Sequence, residues 1–441
     1  MIFIVALLAF YVAWNLGAND VANAMGTSVG SKAVTLRQAL FIAGILEFLG
    51  AVLFGRAVSS TLATEIVNPT LFASQPQVLL IGMVSVLIGC GVWLQIATSR
   101  GLPVSSSHAV VGAIAGFSAI SAGVGAVNWS SLGTISLAWI LTPVVSGAIA
   151  ALFYSVVKRW ILDPPDPLFQ LREWIPWLSA TLLGIFGVIV LPAVSQPIDI
   201  LLADKFGISL PPHDIPLAIG AIATCSLTWF SWGQLETNDW GQGNARRDES
   251  IQKLATPDSG LRTPDSGLSN PIERHLARFQ LLSACFVAFA HGSNDVGNAI
   301  APLAAISYID RTGSVPTAGF TIPIWILLVG GAGIVAGLAV WGKKVIATIG
   351  EGIIPLQPSS GFCAEIATAT TILLASRFGL PVSTSHALVG AVVGIGLIQN
   401  WKSVRFQTLQ TIALAWIITI PISAGLGAII FMVARRLWLS A

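Results

Sequence analysis

Two aspartates stand where an acid is costly. Asp20 lies in G-A-N-D-V-A-N-A at 17–24 and Asp295 in G-S-N-D-V-G-N-A at 292–299, both inside long apolar runs. Each is flanked by two asparagines, Asn19 and Asn23 in the first case, Asn294 and Asn298 in the second. On a helix, positions i, i+1 and i+4 fall within an arc of about 100°, so each trio faces one way. An ionisable group at membrane depth costs about 2.5–3.5 kcal/mol even on lenient insertion scales. Water, an ion or a substrate can sustain that cost. The plainer alternative is a hydrogen-bond network between helices.

A second pair of stretches carries hydroxyls. G-L-P-V-S-S-S-H-A-V-V-G-A at 101–113 returns as G-L-P-V-S-T-S-H-A-L-V-G-A at 379–391, identical at eleven of thirteen positions. Gly101 ends the preceding helix, and Pro103 is tolerated only where a new one begins. That puts Ser105, Ser106 and Ser107 in or beside a first helical turn. A helix start presents unpaired N–H groups and about half a positive charge. Hydroxyls beside it add donors, which makes an anion site that needs no Arg or Lys and suits a tetrahedral oxyanion. Gly379, Pro381, Ser383, Thr384 and Ser385 build the second copy, so two such ends can converge at the bilayer midplane. The alternative is a Ser-capped helix boundary at a kink.

His108 and His386 follow the hydroxyls directly. Neighbours on a helix diverge by about 100°, so Ser107 and His108 make a poor nucleophile–base dyad. A hydrolase would also need one asymmetric active site, whereas every element here comes twice; the chain is not read as an enzyme. The two histidines are expected to orient neighbouring groups. His291 precedes the second Gly-Ser-Asn-Asp and is either a packing residue or part of the site. Glu47 and Glu365 are the other acids in apolar segments, and they are not repeat mates: offset 278 from Glu365 falls on Leu87. They could bind a cation, carry a proton or pair with a basic group.

The elements that must hold these residues are membrane helices. The chain of 441 residues is 54% apolar and 10% charged, with mean hydropathy +0.81. Soluble domains carry about 25% charged residues, and continuous apolar runs of roughly 20 residues exclude a β-barrel. The expected fold class is an all-α polytopic membrane protein. Apolar segments fall near 1–31, 38–60, 78–98, 103–125, 131–157, 175–196, 213–235, 279–308, 322–342, 361–376, 381–400 and 407–434, which gives about twelve. Met1–Trp14 has no preceding basic region and reads as a first span rather than a cleaved signal. Cys90, Cys225, Cys285 and Cys363 sit at unrelated spacings in apolar segments and read as core filling.

The duplicated motifs keep one order and nearly one offset, 275 and 278 residues, and A-W-I at 138–140 recurs at 415–417, with Pro143 paired to Pro421. Residues 1–160 and 279–436 are therefore read as two transmembrane repeats. Seven segments precede the second, so it enters the membrane from the opposite side: inverted-topology repeats with broken or re-entrant helices. Residues 161–235 supply connecting segments. The polar stretch 236–278 repeats T-P-D-S-G-L and reads as a disordered loop. If all segments cross, sixteen of the Lys and Arg fall on the side of that loop and six on the other. This bias places the loop in the cytoplasm and both termini outside a cell membrane.

With G-F-C-A-E at 361–365, these motifs resemble the inorganic phosphate transporter (PiT) family. The resemblance covers both repeats; its small departures are Gly297 opposite Ala22 and Ser106 opposite Thr384. It implies symport of inorganic phosphate with sodium or protons, alternating access and a homodimer in the lipid bilayer. No cofactor beyond the co-transported ion is implied, and no nucleic acid. Asn19, Asp20, Ser105, Ser106, Ser107, Asn294, Asp295, Ser383, Thr384 and Ser385 would line the phosphate site. Asp20, Asn23, Asp295, Asn298, Glu47 and Glu365 would handle the cation, with sodium favoured, and His108, His386 and His291 would support them. A carboxylate accepts a hydrogen bond from phosphate but leaves sulfate facing an unpaired negative charge. Sulfate symport is the nearest alternative, followed by an uncoupled anion channel and a non-transporting phosphate sensor.

Overall fold

A computed structural model describes residues 1–102, 104–206, 211, 214–248, 270–349 and 354–439. Among them are thirteen α-helices and no strand, only an isolated antiparallel bridge between Val67 and Val127. In order they are α1 (Ile2–Gly30), α2 (Leu36–Phe54), α3 (Arg56–Thr64), α4 (Pro76–Ser99), α5 (Ser106–Ala122), α6 (Trp129–Val157), α7 (Pro167–Phe206), α8 (Asp214–Asp248), α9 (Pro271–Thr312), α10 (Ile324–Ile349), α11 (Pro358–Arg377), α12 (Thr384–Asn400) and α13 (Phe406–Leu439).

Eight of these are long and apolar enough to cross a membrane: α1, α2, α4, α6, α7, α8, α10 and α13. That is fewer than the twelve apolar segments, for local reasons. Segments 103–125 and 381–400 become α5 and α12, of 17 residues each, only about 26 Å long at 1.5 Å per residue. Segments 279–308 and 361–376 lie in α9 and α11, which carry the polar residues of the candidate site. Segment 38–60 is split at Gly55 into α2 and α3.

Two compact units emerge from the contacts, Met1–Tyr154 with Leu276–Ala441, and Ser155–His275. The second is built on α7 against α8, with Trp232 Nε1 donating to the carbonyl of Arg172 at 2.8 Å. Its polar end differs from the expected loop: α8 continues to Asp248 and α9 starts at Pro271, so 236–248 and 271–278 are helical. Both T-P-D-S-G-L copies lie outside the described residues.

The first unit is apolar outside and polar within. Phe3, Phe41 and Leu152 are exposed, while Asn19, Asp20, Glu47, His291, Asp295 and Glu365 are buried. This is the distribution expected when lipid replaces water as the solvent. Cysteine placement follows it only in part. Cys90 and Cys363 are buried, but Cys285 is partly exposed and Cys225 is exposed on α8, so core filling applies to two of the four.

Glycines bring the helix pairs of this unit together. A side chain at Gly17 of α1 would overlap the carbonyl of Ile334 in α10, and one at Gly292 of α9 would overlap the carbonyl of Glu47 in α2. Each pair is closed from the other side as well, by Gly337 against Trp14 and by Gly50 against Phe289. In the same way Gly112 places α5 on Ile420 of α13, and Gly390 places α12 on Pro143 of α6.

Candidate substrate site

The hydroxyl motifs are helix starts. Gly101 and Gly379 have φ of +65° and +68°, a left-handed conformation that glycine takes without strain and that ends the preceding helices. Ser105 and Ser383 are the N-caps, extended at φ −88° and −91°. Each Oγ accepts from the amide three residues on, His108 N and His386 N, both at 3.3 Å. The first ladder bonds are Ala109 N to Ser105 O and Ala387 N to Ser383 O. The earlier amides, of Ser106, Ser107, Thr384 and Ser385, belong to the set a helix start leaves over. Pro103 lies outside the described residues; its counterpart Pro381 sits two residues before its cap.

The two starts meet. Ser107 Oγ donates to the carbonyl of Val382 at 2.8 Å, and the His108 and His386 rings lie 4.9 Å apart. Each imidazole packs on one indole, His108 on Trp139 and His386 on Trp416. Each Nδ1–H then donates to the other tryptophan's carbonyl at 3.1 Å, His108 to Trp416 and His386 to Trp139. Pro143 has no N–H to close the helical bond to Trp139 O four residues back, so His386 supplies the missing donor. Neither serine–histidine neighbour pair forms a nucleophile–base contact.

Against these ends lie the Asn-Asp elements, carried by uninterrupted helices α1 and α9. Asn23 Nδ2 donates to Asp20 Oδ1 at 2.9 Å and reaches Thr384 Oγ1 at 3.5 Å. Asn298 Nδ2 donates to Ser106 Oγ and Ser107 Oγ, both at 3.2 Å. Each second asparagine thus reaches the hydroxyls of the other copy. Thr384 Oγ1 donates to Asp295 Oδ2 at 3.1 Å, and Asn294 Nδ2 donates to Ser376 Oγ at 3.0 Å and Leu380 O at 3.1 Å. Ser383 and Ser385 share a 2.9 Å hydrogen bond. None of these contacts involves Lys or Arg.

Several buried atoms here have no hydrogen-bond partner among the described residues: Asn19 Nδ2, Asp20 Oδ2, Asn294 Oδ1, Asp295 Oδ1 and Asn298 Oδ1. Leaving such groups unpaired costs about 1–3 kcal/mol each, so their clustering marks a place built for a ligand. One atom each from Asp20, His291 and Asp295 lies within 4.8 Å of the others, which joins the two acidic elements into one centre. Four of the five orphans are oxygens, the donor type a hard cation takes.

Glu47 and Glu365 are treated differently. Glu47 Oε1 is 3.2 Å from His291 Nδ1, whose Nε2 is 3.0 Å from Asp295 Oδ2, all fully buried. This joins Glu47 to the acidic centre through a basic partner. Glu365 stands apart, in contact with neutral donors: Thr27 Oγ1 and Ser28 Oγ at 2.6 Å and Gln280 Nε2 at 3.1 Å on one oxygen, Ser283 Oγ at 2.6 Å on the other. Thr27 is seven residues beyond Asp20, about 10 Å along α1. Sequence reading had missed Thr27, Ser28, Gln280 and Ser283. Their signal was helical spacing: Asp20, Asn23 and Thr27 share one stripe of α1.

Known proteins place this arrangement. The model of the phosphate transporter family matches residues 16–427. An inorganic phosphate transporter 2-1 of Arabidopsis thaliana chloroplasts is 39% identical over 96% of this chain and 70% of its own length. A putative phosphate permease of Haemophilus influenzae is 35% identical over 99% of this chain and 97% of its own. A solved structure of a sodium-dependent phosphate transporter superposes with a TM-score of 0.81 at 34% identity, covering 99% of both chains. With buried acids between duplicated helix ends inside a bundle of apolar helices, this chain is a multi-pass membrane protein of the phosphate transporter family, a transporter and not an enzyme.

Proposed function

We propose that the chain moves inorganic phosphate across a cell membrane by symport with sodium, through alternating access. The observation that carries this is the meeting of two hydroxyl-bearing helix starts, at Ser105 and Ser383, beside Asp20 and Asp295. The helix ends and the hydroxyls of Ser106, Ser107, Thr384 and Ser385 would take the phosphate oxygens. Phosphate keeps a hydroxyl proton near neutral pH, and Asp20 or Asp295 would accept a hydrogen bond from that hydroxyl. Sulfate has no such proton and would face the carboxylates unpaired.

Sodium answers the charge problem of the site. An anion beside two carboxylates is repelled unless cations enter with it, and the unpaired oxygens of Asp20, Asn298, Asn294 and Asp295 are suitable ligands. This makes phosphate binding depend on sodium by linkage. Glu365, within its cage of hydroxyls, is read as a second coupling acid. The repeats 1–160 and 279–436 are read as inverted, with 236–278 on the cytoplasmic side, both termini outside and two chains forming a dimer.

Phosphate uptake into proteoliposomes tests the reading. An inward sodium gradient at clamped potential should drive accumulation, and an equal proton gradient should not. Accumulation driven by protons alone would contradict sodium coupling, and sulfate accumulation in place of phosphate would contradict the substrate.

A further inference from the structure

The two Asn-Asp elements match in sequence but not in what holds them. The glycine contacts equate α1 on α10 with α9 on α2, residue for residue. Gly17 against Ile334 corresponds to Gly292 against Glu47, and Gly337 against Trp14 corresponds to Gly50 against Phe289. Under this correspondence Ile334 stands where Glu47 does. Leu16, one residue before Gly17, stands where His291 precedes Gly292. The residues that would flank Asp20 in the manner of His291 and Glu47 are therefore a leucine and an isoleucine. The polar bridge from Glu47 through His291 to Asp295 exists in one half only.

We infer that His291, held by Glu47, is a positioning residue that makes the two aspartates unequal as cation ligands. His291 Nε2 lies 3.0 Å from Asp295 Oδ2, which accepts from Thr384 Oγ1, while Oδ1 has no partner among the described residues. The bridge thus fixes which carboxylate oxygen of Asp295 faces the site. Asp20 has Asn23 on its own helix and the Ser106 hydroxyl beside it, as Asp295 has Thr384, but no bridge from a second acid through an imidazole reaches it from its own half. Partners that orient a metal-binding group in this way set its affinity without touching the ion. This inference rests on the sodium-symport reading and deepens it.

The test uses the full chain in proteoliposomes, with initial phosphate uptake measured against sodium and, separately, against phosphate. Three proteins are compared: wild type, His291→Gln and the double variant Glu47→Ile with His291→Leu. The double variant copies the residues of the Asp20 half and removes an acid and a base together; thermal melting in detergent reports folding. The double variant should raise half-saturating sodium about tenfold while half-saturating phosphate at saturating sodium moves by less than about twofold. His291→Gln retains one donor and should shift sodium in the same direction by less. A folded variant whose sodium curve coincides with wild type, or whose sodium and phosphate constants move by one common factor, overturns the inference. If the double variant does not fold, His291→Gln decides by the same criterion. Wild-type uptake indifferent to sodium would contradict the symport reading and take the inference with it, whereas wild-type sodium dependence with unshifted variants overturns the inference alone.

Discussion

Asn298 Nδ2 donates to Ser106 Oγ at 3.2 Å, across 192 residues of sequence. Its counterpart, Asn23 with Thr384, spans 361 residues at 3.5 Å. Each duplicated helix start is therefore tied to the acidic element of the other copy, and neither copy forms the site alone.

Removing either hydroxyl should weaken substrate binding without unfolding the chain. Ser106→Ala and Thr384→Ala each delete one hydrogen-bond donor, worth about 0.5–1.5 kcal/mol. Half-saturating phosphate should rise about two- to tenfold, read from uptake at saturating sodium. Unchanged values in both variants would place phosphate elsewhere.

Neutralising the acids should change the sodium requirement more than the fold. Asp20→Asn and Asp295→Asn keep shape but lose the charge that sodium offsets. Both should reduce sodium-driven uptake by more than about tenfold, and discrimination between phosphate and sulfate in a competition assay should narrow. Discrimination equal to wild type would separate these carboxylates from substrate choice.

The two cap-adjacent histidines should differ in their effect on stability. His386 donates to Trp139 O, whose normal helical donor is replaced by Pro143, whereas four residues beyond Trp416 stands Ile420, which has an N–H. His386→Ala strands a buried carbonyl at a cost of about 1–3 kcal/mol. It should lower the melting temperature in detergent more than His108→Ala does; equal losses would contradict this account.

Glu365→Gln tests the second acid. Three hydroxyls and one amide surround that carboxylate, so the amide variant retains most of the packing. Equilibrium phosphate binding should persist while sodium-driven accumulation falls by more than about tenfold. Accumulation at the wild-type rate would remove Glu365 from the coupling.

Much of the site was legible because it is written twice. The asparagine–aspartate trios and the Gly-Leu-Pro-Val-Ser starts gave their own positions, since only a helix break explains Gly101 and Gly379 in apolar chain, and both have positive φ. What joins them was not legible. The His291–Glu47 contact depends on Gly50 and Gly292 bringing α2 onto α9, and no local spacing reports a contact of that range. Hydropathy also treats lipid and protein interior alike, which is why exposed Cys225 and buried Cys90 read the same.

The central claim is a single site that takes phosphate only in company with sodium. Equilibrium binding of radiolabelled phosphate to the purified chain, with and without sodium and with unlabelled phosphate or sulfate as competitor, addresses it directly. The account predicts binding that requires sodium and is displaced by phosphate but not by equal sulfate. Binding of equal strength without sodium, or equal displacement by sulfate, would contradict it.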